Sequence, residues 1–321
     1  MGDALVIGSC SGNFYVLDRH SGALRWSYDI HQDGKQTSFH GDPLIKGDTA
    51  LVGTDLSCAP DGVGHVYAFN ARARRLEWKQ KFNGIPTPIV RSGDTIFFGS
   101  IRGDWYAADA NTGAPKWQYQ IPAPNPDCKL PRAPVILDGK MYIVGLDDAI
   151  HIVDTKSGKP LGTVQPPSRP TTALLPHQRQ ILFGTEDNRI YSFDPATRKF
   201  ESVWQFEARP ADRMQISGDS LLLFLSAADR KGFLASLDLK SRKLRWIKAA
   251  EREWASDWPR LWHNQVLAGN CRGHLSAFSV EDGRELWSQE FQGCIRSIGT
   301  SDDLLYVGAQ QGMLYGFAPR Q

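Results

Sequence analysis

One short run recurs eight times along this chain, and that repetition restricts the fold more than any other feature. The copies fall at residues 14–18, 66–70, 105–109, 150–154, 190–194, 234–238, 275–279 and 314–318, the first reading Phe14-Tyr15-Val16-Leu17-Asp18. A second apolar run precedes each copy, in most cases ending in Gly and a small residue, as in Phe97-Phe98-Gly99-Ser100 and Leu182-Phe183-Gly184-Thr185. The spacing is about 40 residues, the length of four short strands in one propeller blade.

After each Asp-ended run comes a turn and then usually a Trp. The clearest copies are Asp18-Arg19-His20-Ser21-Gly22 leading to Trp26, and Asp109-Ala110-Asn111-Thr112-Gly113 leading to Trp117. Trp78, Trp204, Trp246 and Trp287 are assigned the same place, so the repeat absorbs six of the ten tryptophans. In such a turn the Asp bonds nearby backbone and the Gly takes a positive φ. The Trp then offers a flat surface to the next blade. The fourth copy has Gly162 in register and predicts a less firmly packed joint.

With strands labelled A to D from the axis outward, the Gly-ended run is B, the Asp-ended run is C and the Trp strand is D. Strand A precedes B across a tight turn, as in Val135-Ile136-Leu137 before Asp138-Gly139. The expectation is an all-β, eight-bladed β-propeller of four-stranded antiparallel blades, one domain over residues 1–321, with a seven-bladed ring as the alternative. The first repeat lacks strand A and the last stops after C, which predicts three-stranded end blades or a domain cut from a longer chain. The longest apolar run, 221–225, is too short to span a bilayer and suits a buried strand. A net charge of +2 argues against nucleic acid as a partner. The start, Met1-Gly2-Asp3, runs straight into a strand pattern, so no secretory signal is read before Ala4.

The pattern Leu-Asp-x-x-Ser/Thr-Gly-x-x-x-Trp, seen from Leu17 to Trp26 and less perfectly elsewhere, resembles the pyrroloquinoline-quinone (PQQ) repeat. The resemblance covers nearly the whole chain. That family includes periplasmic quinoprotein dehydrogenases, the lipoprotein subunit of the outer-membrane β-barrel assembly machine, and propeller domains of bacterial kinases. Its dehydrogenases hold the quinone with a vicinal Cys-Cys disulfide, a stacking Trp and a calcium bound by Glu, Asn and Asp. This chain has no adjacent cysteines and no compact acidic run. The resemblance therefore implies the non-catalytic branch, similar to the outer-membrane assembly lipoprotein, with no PQQ or calcium and a periplasmic or other extracytoplasmic setting. The alternative is an enzyme with its centre at the channel mouth, including a quinone-dependent oxidoreductase.

Strand direction places the A–B and C–D turns at one end of each blade and the B–C and D–A loops at the other. The longest loops, 30–42, 54–64, 122–131, 227–232 and 249–258, all fall at the second end, where binding usually sits. Arg132, Arg169, Arg213, Arg260 and Arg296 recur near the starts of A strands and form a candidate anion funnel for a carboxylate, phosphate or acidic peptide. The competing reading pairs them with loop acids such as Asp127, Glu253 and Asp257. Trp254, Trp258 and Trp262, with Arg252, stand outside the repeat and form a candidate anchor for a protein partner. All five cysteines map to the same end. Cys10 and Cys271 occupy matching positions, and Cys271 and Cys294 can pair in an oxidising compartment. None shows metal-ligand spacing, so no metal is expected. His31, His40, Asp42 and Asp61 are the scattered polar residues from which a catalytic alternative would be built. No nucleophile elbow or phosphate loop accompanies them.

Overall fold

Phe97 and Phe98 are neighbours in sequence, yet they point into different layers of the core. Phe97 packs with Trp105, Met141, Ile143 and Val153, whereas Phe98 packs with Leu51, Val66, Phe82 and Tyr106. Alternation along a strand puts successive side chains on opposite faces of a sheet. Here both faces are covered, each by an adjoining sheet. Such thin apolar layers lie between the consecutive blades from 1 to 4 and from 5 to 8. A fully buried aromatic or aliphatic side chain in such a layer contributes about 1.5–3 kcal/mol.

The computed structural model describes residues 2–35, 38–39, 41–55, 63–85, 87–121, 131–227, 231–249 and 259–318. It contains eight antiparallel sheets, each a meander in chain order. Blade 3 shows the full pattern: strand A at Val90–Ser92, B at Thr95–Gly99, C at Asp104–Asp109 and D at Pro115–Gln120. Blades 4 to 7 repeat it with four strands each. In blade 2, strand A comes in two pieces, Ser38–Phe39 and Leu44–Lys46, both paired with the B strand Thr49–Asp55. The end blades have three strands. Blade 1 consists of Ala4–Gly8, Asn13–Asp18 and Leu24–Asp29, and blade 8 of Ile295–Thr300, Leu305–Ala309 and Met313–Phe317. Eight sheets, rather than seven, settle the blade number.

The chain divides into two compact units, Met1–Gln165 with blades 1 to 4 and Pro166–Gln321 with blades 5 to 8. The boundary follows the D strand that carries Gly162 in place of Trp.

The C–D turn is built the same way throughout. In blade 1, an Asp18 carboxylate oxygen accepts from the backbone of His20 and Ser21 and from the Ser21 hydroxyl. These bonds, with Arg25, hold Asp18 well below the usual carboxylate range. Asp109 and Asp154 repeat the arrangement with Thr112 and Ser157. The residue four beyond the Asp position has positive φ in all seven turns: Gly22, Arg74, Gly113, Gly158, Arg198, Arg242 and Gly283. Glycine is therefore not required by conformation alone, since three arginines adopt it.

Tryptophans account for three of the four glycines at this position. Trp117 donates its indole N–H to Thr155 O at 2.9 Å, on the turn of the next blade, and Trp246 does the same to Val280 O at 3.0 Å. A Cβ on Gly113, Gly158 or Gly283 would lie 2.5–2.7 Å from the ring of Trp78, Trp117 or Trp246 respectively. One assignment from the sequence needs correction. Trp26, Trp78, Trp117, Trp246 and Trp287 each face the C-strand residue two before the Asp position, but Trp204 faces Ile190, four before Asp194. The bulge in blade 5 lies farther along the C–D pair, and Glu201 faces Ser192 at the usual Trp register. Glu201 meets Arg242 of blade 6 in a two-pronged ion pair, with Arg242 at the turn position that elsewhere holds Gly. A Glu–Arg pair thus replaces a Trp–Gly contact.

Candidate functional site

At the B–C and D–A end, five of the eight B–C connections are tight four-residue turns starting at Ser9, Ser100, Gly145, Thr185 and Asn270. Each is closed by a backbone bond from the fourth residue to the first. That fourth residue has positive φ: Gly12, Gly103, Asp148, Asn188 and Gly273. The rest of this end is carried by the other B–C connections and the D–A segments, large parts of which lie outside the described residues.

Three of the five arginines lie on A strands, while Arg132 and Arg169 precede theirs. Arg260 opens Arg260–Trp262 and faces Leu267. Arg213 and its neighbour Asp212 are extra residues in a bulge of Arg209–Ser217, and Arg296 is the extra residue between Ile295 and Ser297. Bulges re-aim side chains away from the pleat. Arg296 is exposed, while Arg132, Arg213 and Arg260 are half-buried. Arg169 pairs with Glu186 at 3.0 Å. Arg132 belongs to the first unit and the other four to the second. Asp127, Glu253 and Asp257 lie outside the described residues.

Of the aromatic group, Arg252, Trp254 and Trp258 also lie outside the described residues. Trp262 ends its strand next to the A–B turn, facing Gln265, and donates its indole N–H to Ser301 O of blade 8 at 2.7 Å. Its ring packs into the layer between blades 7 and 8. The sequence placed it just past a D–A loop, but three strand residues carry it to the other end of the blade.

Cys271 is disulfide-bonded to Cys294, joining the B–C turn of blade 7 to the residue before strand A of blade 8. Cys10, at the matching turn position of blade 1, is an exposed free thiol. The surrounding backbone also matches. Phe39 N bonds Ser9 O at 3.3 Å as Ile295 N bonds Asn270 O at 3.1 Å. The B-strand glycines Gly8 and Gly269 abut Phe39 and Ile295. Ser38 therefore stands where blade 8 has Cys294.

Of the four residues of the catalytic alternative only His31 and Asp42 are described, and Asp42 is exposed. His31 binds Asp29 through Nδ1 at 2.7 Å, whereas His40 and Asp61 lie outside the described residues. Among the described residues no three His, Cys, Asp or Glu side chains group to hold a metal ion. The cysteine pair is separated by 23 residues, so it does not supply the vicinal disulfide that seats a quinone.

Two polar clusters between blades escaped the sequence reading. His151 is 7 % exposed and bonds Tyr119 of blade 3 at 2.9 Å on Nδ1 and Asp147 at 3.0 Å on Nε2. Burial raises the Tyr119 phenol above its ordinary value. Asp33 accepts from Tyr28, Tyr67 and Lys79. Burial opposes its charge, but these bonds outweigh it and hold the carboxyl low. The available signal was the repeat itself: Tyr15, Tyr67, Tyr106, His151 and Tyr191 all stand three residues before the C-strand end. Burial pushes the Tyr106 phenol up to about 12.

Eight meander blades, with the C–D turn and its Trp contact repeated between them, define an eight-bladed β-propeller of PQQ-like repeats. The sequence model of the outer membrane protein assembly factor BamB matches the chain twice, over residues 1–206 and 129–321. The chain belongs to that family. BamB of Yersinia pestis is 18% identical over 343 residues, spanning 98% of this chain and 82% of that protein. The crystal structure of BamB from Moraxella catarrhalis superposes with a TM-score of 0.74 at 18% identity, covering 99% of this chain and 94% of that one. The computationally designed protein Ika8 superposes with a TM-score of 0.77 at 14% identity, covering 99% and 93%. A designed propeller fits as well as a natural one, so the likeness fixes the fold and function must be argued from the surface.

Proposed function

We propose that this chain is a non-catalytic scaffold of the cell envelope, on the periplasmic side, that holds a protein partner at the B–C and D–A end of its blades. Membership of the outer membrane protein assembly factor family carries the reading, and the partner is accordingly a component of outer-membrane protein assembly. The placement of the exposed Arg296 in a bulge supports it, because a side chain lifted out of the pleat can meet an acidic surface. A partner of this kind needs no cofactor. Trp254, Trp258 and Arg252 are proposed as its anchors, with Arg132, Arg169, Arg213, Arg260 and Arg296 as the residues that steer an acidic partner or bind an anionic ligand. Trp262 contributes by fixing the joint between blades 7 and 8.

Photo-crosslinkers at positions 169 and 254 in living cells test this. Cross-links to outer-membrane protein assembly components, lost when Arg132, Arg213 and Arg296 are replaced together by glutamine, are the expected result. Cross-links that survive the triple replacement, or that form only from the A–B and C–D end, would overturn it.

A further inference from the structure

A groove of about 840 Å³ crosses the face of blade 2 that looks toward blade 3, at the A–B and C–D end. Lys46 lies at its inner limit, on strand A, and Arg75 at its outer limit, on strand D. Between them the wall is Leu51 and Trp78, with Asn111 of the blade 3 turn opposite. We infer that this groove is a binding site for an extended acidic peptide segment, separate from the partner-binding end proposed above.

The charges around the groove are unequal in a telling way. Neighbouring cations are already engaged: Arg72 pairs with Asp48 at 2.9 Å, Arg91 with Asp94 at 3.3 Å, and Lys116 approaches Asp109 at 3.7 Å. Lys46 and Arg75 are exposed and have no ion-pair partner among the described residues. The acid in the lining, Glu77, keeps its charge but forms no ion pair with either of them. Its two oxygens accept from Thr49 at 3.1 Å and Asn70 at 2.7 Å. By contrast, the joint between blades 5 and 6 carries its own acid, with Glu201 answering Arg242 across the blades. At the joint between blades 2 and 3 the lining holds three cations, Lys46, Arg75 and Arg91, against the one carboxylate of Glu77, an excess that an acidic segment would balance.

Geometry favours a peptide over a compact anion. Strands A and D of one sheet are three inter-strand spacings apart, about 14 Å between backbones. A single phosphate or acetate cannot lie close to both cations unless both long side chains fold inward. An extended segment rises about 3.3 Å per residue, so acidic residues four apart, which lie on the same face, span the distance. An apolar side chain between them meets the half-buried Trp78, which a free anion would leave unused. The volume falls in the range of about 300–1,000 Å³ typical of ligand sites.

The test uses the whole protein and a labelled octapeptide carrying two glutamates four residues apart with leucine midway between them, against the same peptide with glutamines. Fluorescence anisotropy is expected to show the glutamate peptide binding at least about tenfold tighter, weakening as salt rises. Replacing Lys46 and Arg75 together by glutamine is expected to remove that preference while the melting temperature stays unchanged. Equal binding of the two peptides, or a preference that survives the double replacement, would overturn the assignment. So would displacement of the peptide by inorganic phosphate at concentrations where chloride does not displace it, since the site would then belong to a compact anion. The double variant leaves every proposed steering arginine intact, so its failure and that of the scaffold reading are read separately.

Discussion

A Cβ on Gly158 would lie 2.7 Å from the indole of Trp117, on the blade before it. Gly22 has nearly the same backbone, φ 71° against 70°, but nothing lies within 4 Å of the Cβ it lacks. The pair separates two reasons for a conserved-looking turn glycine within a single chain. Gly22→Ala is expected to cost about 1–2 kcal/mol from the left-handed backbone alone. Gly158→Ala adds overpacking against Trp117, about 1–3 kcal/mol more. Denaturant titration of the two variants measures the difference. Equal losses would mean that the Trp–Gly contact carries no stability.

The joint between blades 5 and 6 should respond to salt as the Trp–Gly joints do not. Arg242 holds the Glu201 carboxyl below its usual range, and both side chains are about half exposed. A double-mutant cycle with Glu201→Gln and Arg242→Gln is expected to give a coupling of about 0.2–1 kcal/mol, shrinking as salt rises. The corresponding cycle for Trp246→Phe with Gly283→Ala should not depend on salt. A salt-independent Glu201–Arg242 coupling would show that the two residues interact through packing rather than charge.

Blade number, strand order and the three-stranded ends were legible because each blade repeats one pattern of apolar runs and turn residues. The disulfide was legible for the same reason: register alone put Cys271 beside the start of the next blade. What stayed hidden depends on pairing, which a single strand does not reveal. Trp204 lies two residues later than its counterparts, and only the displaced bulge in blade 5 shows that Glu201 holds their place. Arg213 and Arg296 looked like ordinary strand residues until their partners across the sheet showed them to be extra. Trp262 was assigned to a loop because its strand is three residues long, too short to show alternation. The inter-blade groove was invisible in sequence, since Lys46, Arg75 and Asn111 come from three separate strands and turns.

Acid should loosen the chain through its C–D turns. Hydrogen bonds from the Asn111, Ser157, Ala196 and Ser241 segments hold Asp109, Asp154, Asp194 and Asp238 below their ordinary values. Their unfolded-state values lie near 3.9. A group depressed in the folded state contributes stability above its unfolded value and loses it as pH falls through the folded one. The melting temperature is therefore expected to drop as pH is lowered below about 4, with neutral pH little affected. Blade 2 uses Asn70 at this position, where its side chain accepts from Ala73 N, so Asn can serve the turn without titrating. Asp109→Asn with Asp154→Asn should flatten the acid limb measured by thermal melts from pH 7 to pH 2. An unchanged limb would place the acid sensitivity elsewhere.

The match between blades 1–2 and blades 7–8 predicts that one substitution creates a second cross-blade disulfide. Cys10 follows Ser9 as Cys271 follows Asn270, and Ser38 precedes Phe39 as Cys294 precedes Ile295. The two flanking backbone bonds and the two glycine contacts coincide, so the Cβ positions at 10 and 38 should sit as those of the existing pair do. Ser38→Cys is expected to oxidise in air, remove the Cys10 thiol from reaction with maleimide, and give a cross-linked peptide joining positions 10 and 38. Closing that loop should stabilise the oxidised variant by about 2–4 kcal/mol over its reduced form. A Cys10 that still reacts with maleimide after oxidation would show that the backbones of the two joints diverge despite their shared hydrogen bonds.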